Sequence, residues 1–209
     1  MSLIQPRAPR VENEILPNGL RFTIPSRKLW FGMLFSAFWL IGWAVGEIIV
    51  AAILIGGLFY LIIDGFPADI TLSDYIQVAV FLTAWLAFWT YGGISAIRSL
   101  AWELTGKEII TLTHDFLIVE YKAMGTKQAK EYQMNHLDCI RLNFPAASQK
   151  RTFFTGPKEG AIAMNYDDAT VFFGIELDLD EARMILADIQ TVWPEKCQGS
   201  VTELDWEYV

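Results

Sequence analysis

From Leu29 to Ile63 the chain runs for 35 residues with a single charge, Glu47. From Tyr75 to Ile97 it is uncharged again, and Arg98 closes that run. After Lys107 the pattern changes. Short stretches alternate apolar and polar residues, with turn residues between them. Each uninterrupted run exceeds the ~20 residues that cross a ~30 Å hydrocarbon core. Alternation at a period of two instead marks half-buried strands.

The first run predicts one long tilted helix. At ~1.5 Å per residue it would reach roughly 52 Å. Two spans and a turn would need more than ~40 residues. The expectation is a membrane helix over about 29–54, with 55–63 continuing into the interface and Gly56-Gly57 as a place to bend. The second membrane helix is expected over about 75–97. A cleaved signal peptide is not expected, because the run starts late, is too long and is followed by no cleavage site.

Charge placement orients this hairpin. Arg27 and Lys28 precede the first helix and Arg98 follows the second. The loop 64–74 carries Asp64, Asp69 and Asp74 and no Lys or Arg. Cytoplasmic loops are enriched in Lys and Arg, so both termini are expected in the cytoplasm and the loop outside. Trp30, Phe31, Phe59, Tyr60, Tyr75 and Trp102 flank the spans, where amphipathic rings settle.

Both helices carry W-L-x-x-W-x-x-G, as Trp39 to Gly46 and Trp85 to Gly92. Trp39, Trp43 and Gly46 are expected on one helical face. Gly42 and Gly46 have the spacing that lets helices approach closely, and Gly92-Gly93 offers a similar site. Trp39, Gly42, Trp43, Gly46, Glu47, Trp85, Trp89, Gly92 and Gly93 are therefore the candidate packing and partner-contact residues. An acid in a membrane helix faces protein or water. Three roles stand open for Glu47: neutral hydrogen-bonded glue, a contact with another subunit, or passage of protons or cations. Thr83, Thr90 and Tyr91 are the available donors.

Beyond the helices, strands are expected at 108–113, 116–122, 127–133, 139–144, 160–165 and 170–173. Turns fall at His114-Asp115, Gly125 and Asp167-Asp168. Asp178-x-x-Glu181 has the form of a capping box. Ala182, Ile185, Leu186, Ile189 and Val192 then repeat at helical spacing, and Pro194 stops the helix. Such a helix must bury its stripe on the sheet.

The run from Leu104 to Val119, and Glu131-Tyr-Gln-Met-Asn-His-Leu-Asp-Cys-Ile-Arg141, resemble bacterial pleckstrin-homology-like (PH-like) domains of small membrane proteins. Phe173-Gly-Ile-Glu-Leu177 followed by Asp180-Glu-Ala-Arg183 resembles the end of that domain. Gly19-Leu-Arg-Phe-Thr-Ile-Pro25 and the tryptophan-rich helices are similar to the same hairpin-anchored proteins. The resemblance covers most of 19–192. It implies a PH-like barrel on a membrane hairpin, and it brings no catalytic residue and no ligand.

Length allows one membrane unit and one small domain. Net charge is −8, which disfavours nucleic acid. Cys139 and Cys197 are expected as reduced thiols, with Cys139 in the core. No phosphate loop, nucleophile motif or metal spacing occurs, and no cofactor is expected. His114 and His136 lack catalytic partners in the sequence. Asp167, Asp168, Asp178, Asp180 and Glu181 are accounted for by turns and capping. Lys150, Arg151 and Lys158 bracket an aromatic loop that could meet anionic headgroups, or the loop's aromatics could be core and the lysines solvated.

The expected class is an α+β membrane protein. A transmembrane hairpin (29–101) is followed by a small antiparallel β-barrel or sheet closed by a C-terminal helix (102–194). An extended cytoplasmic segment (1–28) precedes it, with Leu20–Ile24 either an edge strand or lying at the interface, and an acidic tail (195–209) ends it. The expected role is a non-enzymatic accessory, assembly or scaffold subunit of the inner membrane, contacting lipid and a larger membrane-protein complex. The alternatives are an anionic-lipid sensor and a small transport or channel component using Glu47.

Overall fold

The computed structural model describes residues 10–65, 71–143 and 159–197. Residues 1–9, loop positions 66–70, the stretch with Lys150, Arg151 and Lys158, and the acidic tail from 198 onward lie outside the described residues. The chain is α+β: two long apolar helices, then antiparallel sheets. It divides into two compact units. Residues 29–101 form one, and the residues before and after them form the other.

In the helical unit, α1 (Trp30–Asp64) and α2 (Leu72–Thr105) each exceed the expected span. The helix of α1 continues through Gly56 and Gly57. Thr71 caps α2: its hydroxyl lies 2.7 Å from the Asp74 carboxylate and accepts from the Asp74 N–H. The apolar side chains of both helices point outward, with Phe31, Phe38, Ile48, Phe81 and Phe88 all exposed.

In the sheet unit, β1 (Glu12–Leu16), β2 (Gly19–Pro25), β3 (Lys107–Thr113), β4 (Phe116–Ala123) and β5 (Thr126–Gln133) form one antiparallel sheet in that order. A second sheet holds β6 (Leu137–Leu142), β7 (Ile162–Tyr166) and β8 (Ala169–Phe173). Among the described residues no strand pairing closes the two sheets into a barrel.

The segment 1–28, expected as an extended stretch, supplies β1 and β2 to this unit. Its Leu20–Ile24 strand is not at the edge. β2 lies between β1 and β3, pairing Phe22 with Ile110. Period-two alternation explains the placement, because Leu20, Phe22 and Ile24 are buried while their neighbours are not. Gly19 is required there, since a Cβ would lie 1.9 Å from the Leu112 carbonyl oxygen.

The last helix, α3 (Leu179–Val192), begins with the expected capping box. Asp178 accepts from the Glu181 N–H at 2.9 Å, and Glu181 accepts from the Asp178 N–H at 3.0 Å. Ala182, Ile185, Leu186 and Ile189 join one core with Phe22, Ile110, Leu117, Met164 and Phe173. A fully buried side chain of this size contributes about 1.5–3 kcal/mol. Val192 departs from the expected stripe and is exposed; Trp193, one residue on, is buried instead. Cys139 is another departure. It is half-buried, with φ +55°, where the β6–β7 register shifts, because a bulge rotates it out of the alternation.

Candidate functional site

Helix α1 meets α2 along a seam of tryptophan and glycine. The Trp43 ring occupies the space beside Gly93, where a Cβ would come within 2.0 Å of it. Trp89 sits opposite Gly46, its indole nitrogen 3.8 Å from where a Cβ would be. The second tryptophan of each motif thus packs on a glycine of the other helix. Trp43 Nε1–H donates to the Trp89 carbonyl at 3.0 Å. Trp85 stacks on Trp89 at 4.9 Å between ring centroids, and Trp39 approaches Trp89 at 6.0 Å.

Gly42 and Gly92 are not in this seam. Nothing stands within 4 Å of a Cβ at either position. The small-x-x-x-small spacing places Gly42 near the face of Gly46, but α2 passes only Gly46. On α2 the contact falls on Gly93, one residue and ~100° around the helix from the motif glycine.

Glu47 lies beside this contact and is half-buried. It accepts a hydrogen bond from the Thr90 hydroxyl, which also lies 2.8 Å from the Leu86 carbonyl. Its second oxygen, Oε2, is buried without a partner among the described residues, and so is Trp89 Nε1–H. A buried polar atom left unpaired costs ~1–3 kcal/mol. The seam therefore holds one unsatisfied acceptor and one unsatisfied donor. Thr83 and Tyr91, the other candidate donors, make no described bond to Glu47.

The sheet unit holds a polar cluster that the sequence did not single out. Glu108, fully buried, accepts from the N–H groups of Gly174 at 2.8 Å and Ile175 at 2.9 Å. Gly174 has φ +76°, which suits glycine and turns both N–H groups onto the carboxylate. Burial pushes the Glu108 carboxyl above its usual range despite these donors. Burial, then the charge of Glu108, pushes the Tyr121 hydroxyl up.

Glu176, also buried, accepts from Trp102 Nε1–H at 3.0 Å and the Arg27 N–H at 3.4 Å. Arg10 makes a two-pronged ion pair with Glu181 at 3.1 and 3.0 Å, and Arg27 pairs with Asp178 at 2.7 Å. These two arginines lock the N-terminal segment onto the start of α3. Their sequence signal was weak, since nothing local connects Arg10 to a carboxylate 171 residues away.

His136 pairs with Asp167 at 2.7 Å, both exposed. Burial pushes the Cys197 thiol up to about 11, which makes it a poor nucleophile. Among the described residues no three His, Cys, Asp or Glu side chains gather as a metal site would require. Searches against protein-family models, curated proteins and solved structures found no match to this chain.

Proposed function

We propose that this chain is a membrane-anchored, non-enzymatic accessory or scaffold subunit. In this reading α1 and α2 cross the inner membrane as a hairpin, both termini lie in the cytoplasm, and the sheet unit is a PH-like domain there. The helices bind a larger membrane protein through their outward surface.

One observation carries this reading most. Two apolar helices are inserted between β2 and β3, which pair residue by residue in one sheet. The chain leaves that sheet at Pro25 and returns to it at Lys107. A hairpin anchored this way needs an even number of crossings, and two helices with exposed apolar surfaces supply it. The acidic loop and basic flanks favour the same orientation.

The test is purification of the full chain in mild detergent, with mass spectrometry of what accompanies it. A defined membrane protein in fixed ratio is expected, with Ser73→Cys labelled from outside intact cells. Recovery of the chain alone would defeat the accessory reading. Labelling only after lysis would defeat the orientation.

The unpartnered oxygen of Glu47 favours a second reading, passage of protons or small cations. Glu47→Gln then abolishes flux and leaves the complex intact. The anionic-lipid reading rests on Lys150, Arg151 and Lys158, outside the described residues.

A further inference from the structure

One end of the larger sheet is crowded with positive charge. Lys107 of β3 stands opposite Lys122 of β4, and Lys122 stands opposite Lys127 of β5. The row lies on the outer face, since the neighbours Glu108 and Tyr121 turn toward the core. Like charges directly opposite each other destabilise a sheet. Among the described residues Glu120 is the one acid paired with the row, 3.1 Å from Lys122 and also against Lys127. Three lysines against one glutamate leave a positive excess, on a chain whose net charge is −8.

The turn beyond this row is equally out of place. Met124 and Gly125 join β4 to β5 with φ +43° and +80°. Two-residue turns with positive φ at both positions favour Asn-Gly, Asp-Gly or Gly-Gly. Met124 is instead a large apolar side chain in a conformation uncommon for it, and it is 68% exposed.

The chain leaves for the helices and returns from them at this same end of the sheet. Pro25 pairs with Lys107, the Ser26 N–H donates to the Gly106 carbonyl at 2.9 Å, and the Ser26 hydroxyl donates to the Glu103 carbonyl at 3.0 Å. The Met124 N–H donates to the Thr105 hydroxyl at 3.0 Å, which ties the turn to the last residue of α2. From Arg98 to Thr105 that helix rises ~10 Å. A headgroup layer takes up ~5–8 Å of this, and charge acts over a further ~10 Å.

We propose that the lysine row and Met124 form a docking surface for anionic phospholipid headgroups. Lipid phosphates meet Lys107, Lys122 and Lys127 and relieve the repulsion within the row. The Met124 side chain enters the interface beside them. The inference rests on the membrane reading of α1 and α2, and it names the lipid class and the residues that reading leaves open.

The full chain in phosphatidylcholine vesicles, with or without phosphatidylglycerol, provides the test, in a Cys139→Ser, Cys197→Ser background. A fluorophore on Ala129→Cys, on the outer face two residues from Lys127, reports docking through quenching by a nitroxide on the lipid headgroup. Strong quenching is expected with phosphatidylglycerol and weak quenching without it. A fluorophore on Asp115→Cys, at the opposite end of the sheet, should be quenched weakly in both. Each of Lys107→Gln, Lys127→Gln and Met124→Ser should lower the ratio of docked to undocked chain about fivefold, the factor that ~1 kcal/mol carries. Quenching that ignores phosphatidylglycerol, ignores both lysine substitutions, or is as strong at Asp115→Cys would each overturn the proposal. A fluorophore on Phe88→Cys, with a nitroxide deep in the acyl chains, separates the two readings. Quenching there with none at Ala129→Cys overturns the lipid surface alone. Quenching at neither position overturns the membrane reading and the surface with it.

Discussion

The sheet unit and the helical unit place the same kinds of side chain in opposite directions. In the sheet unit Phe22, Ile110, Leu117 and Ile185 are fully buried, and the buried acids Glu108 and Glu176 are met by donors. In the helical unit the large apolar side chains face outward, while Glu47 and the indole of Trp89 sit between the helices incompletely paired. A folded unit in water gains by hiding apolar surface. Helices with apolar surroundings gain nothing that way, and they associate through close packing and polar contacts. The seam of Trp43, Gly93, Glu47 and Thr90 combines close packing with a polar contact, the two features of that second kind.

The contrast breaks most visibly where burial is deepest. Phe22→Ala removes a fully buried ring from β2 and should destabilise the sheet unit by ~3–5 kcal/mol. Amide exchange across β2, β3 and β4 would report it. A loss below ~0.5 kcal/mol, the range of surface changes, would mean that β2 is not part of this core.

In the helical unit, bulk should matter at one glycine and not at another. Gly93→Ala collides with the Trp43 ring and should cost ~1–3 kcal/mol in overpacking. Gly42→Ala meets open space and should be silent or slightly stabilising. Thermal unfolding in detergent distinguishes them, and equal effects would remove the seam as described.

Acidity should act through Glu108. Its folded-state pKa lies above the ordinary 4.5, so the folded form holds its proton longer than the unfolded form. The stability it contributes is complete below the unfolded pKa and falls as pH rises toward the folded one. Glu108→Gln should flatten that fall, measured as unfolding midpoints across the acid range. An unchanged slope would assign the dependence to other groups. The smallest effect is expected at Asp178→Ala, which removes a helix cap and the half-buried ion pair with Arg27. About 1 kcal/mol is expected, read as faster exchange in the first turn of α3.

Much of this was legible where the signal is local. The alternation of Ile110 with Leu112 and of Leu117 with Val119 marked β3 and β4. The Asp178–Glu181 box marked the start of α3. The unread parts depend on distant partners. β1 has no alternation, its Ile15 is exposed, and only pairing to β2 makes it a strand. Nothing near Arg10 shows that it meets Glu181. The choice of Gly93 over Gly92 depends on how α2 is rotated, which a motif on one helix does not fix. That Lys130 and Tyr132 share a strand face is legible from their spacing. Which face looks inward follows only from the register with β4.

Pairing β2 with β3 also orders events during synthesis. Pro25 and its partner Lys107 are separated by the whole helical pair, 81 residues of chain. At ~5–20 residues per second, roughly 4–16 s pass before β3 follows β2 out of the ribosome. Throughout that interval β2 has β1 to pair with, but Phe22 and Ile24 have no β3 and no core to enter. β2 is made well before the strand that secures it. A chaperone or a quality-control protease that reads exposed apolar strands would therefore meet β2 before β3 covers it.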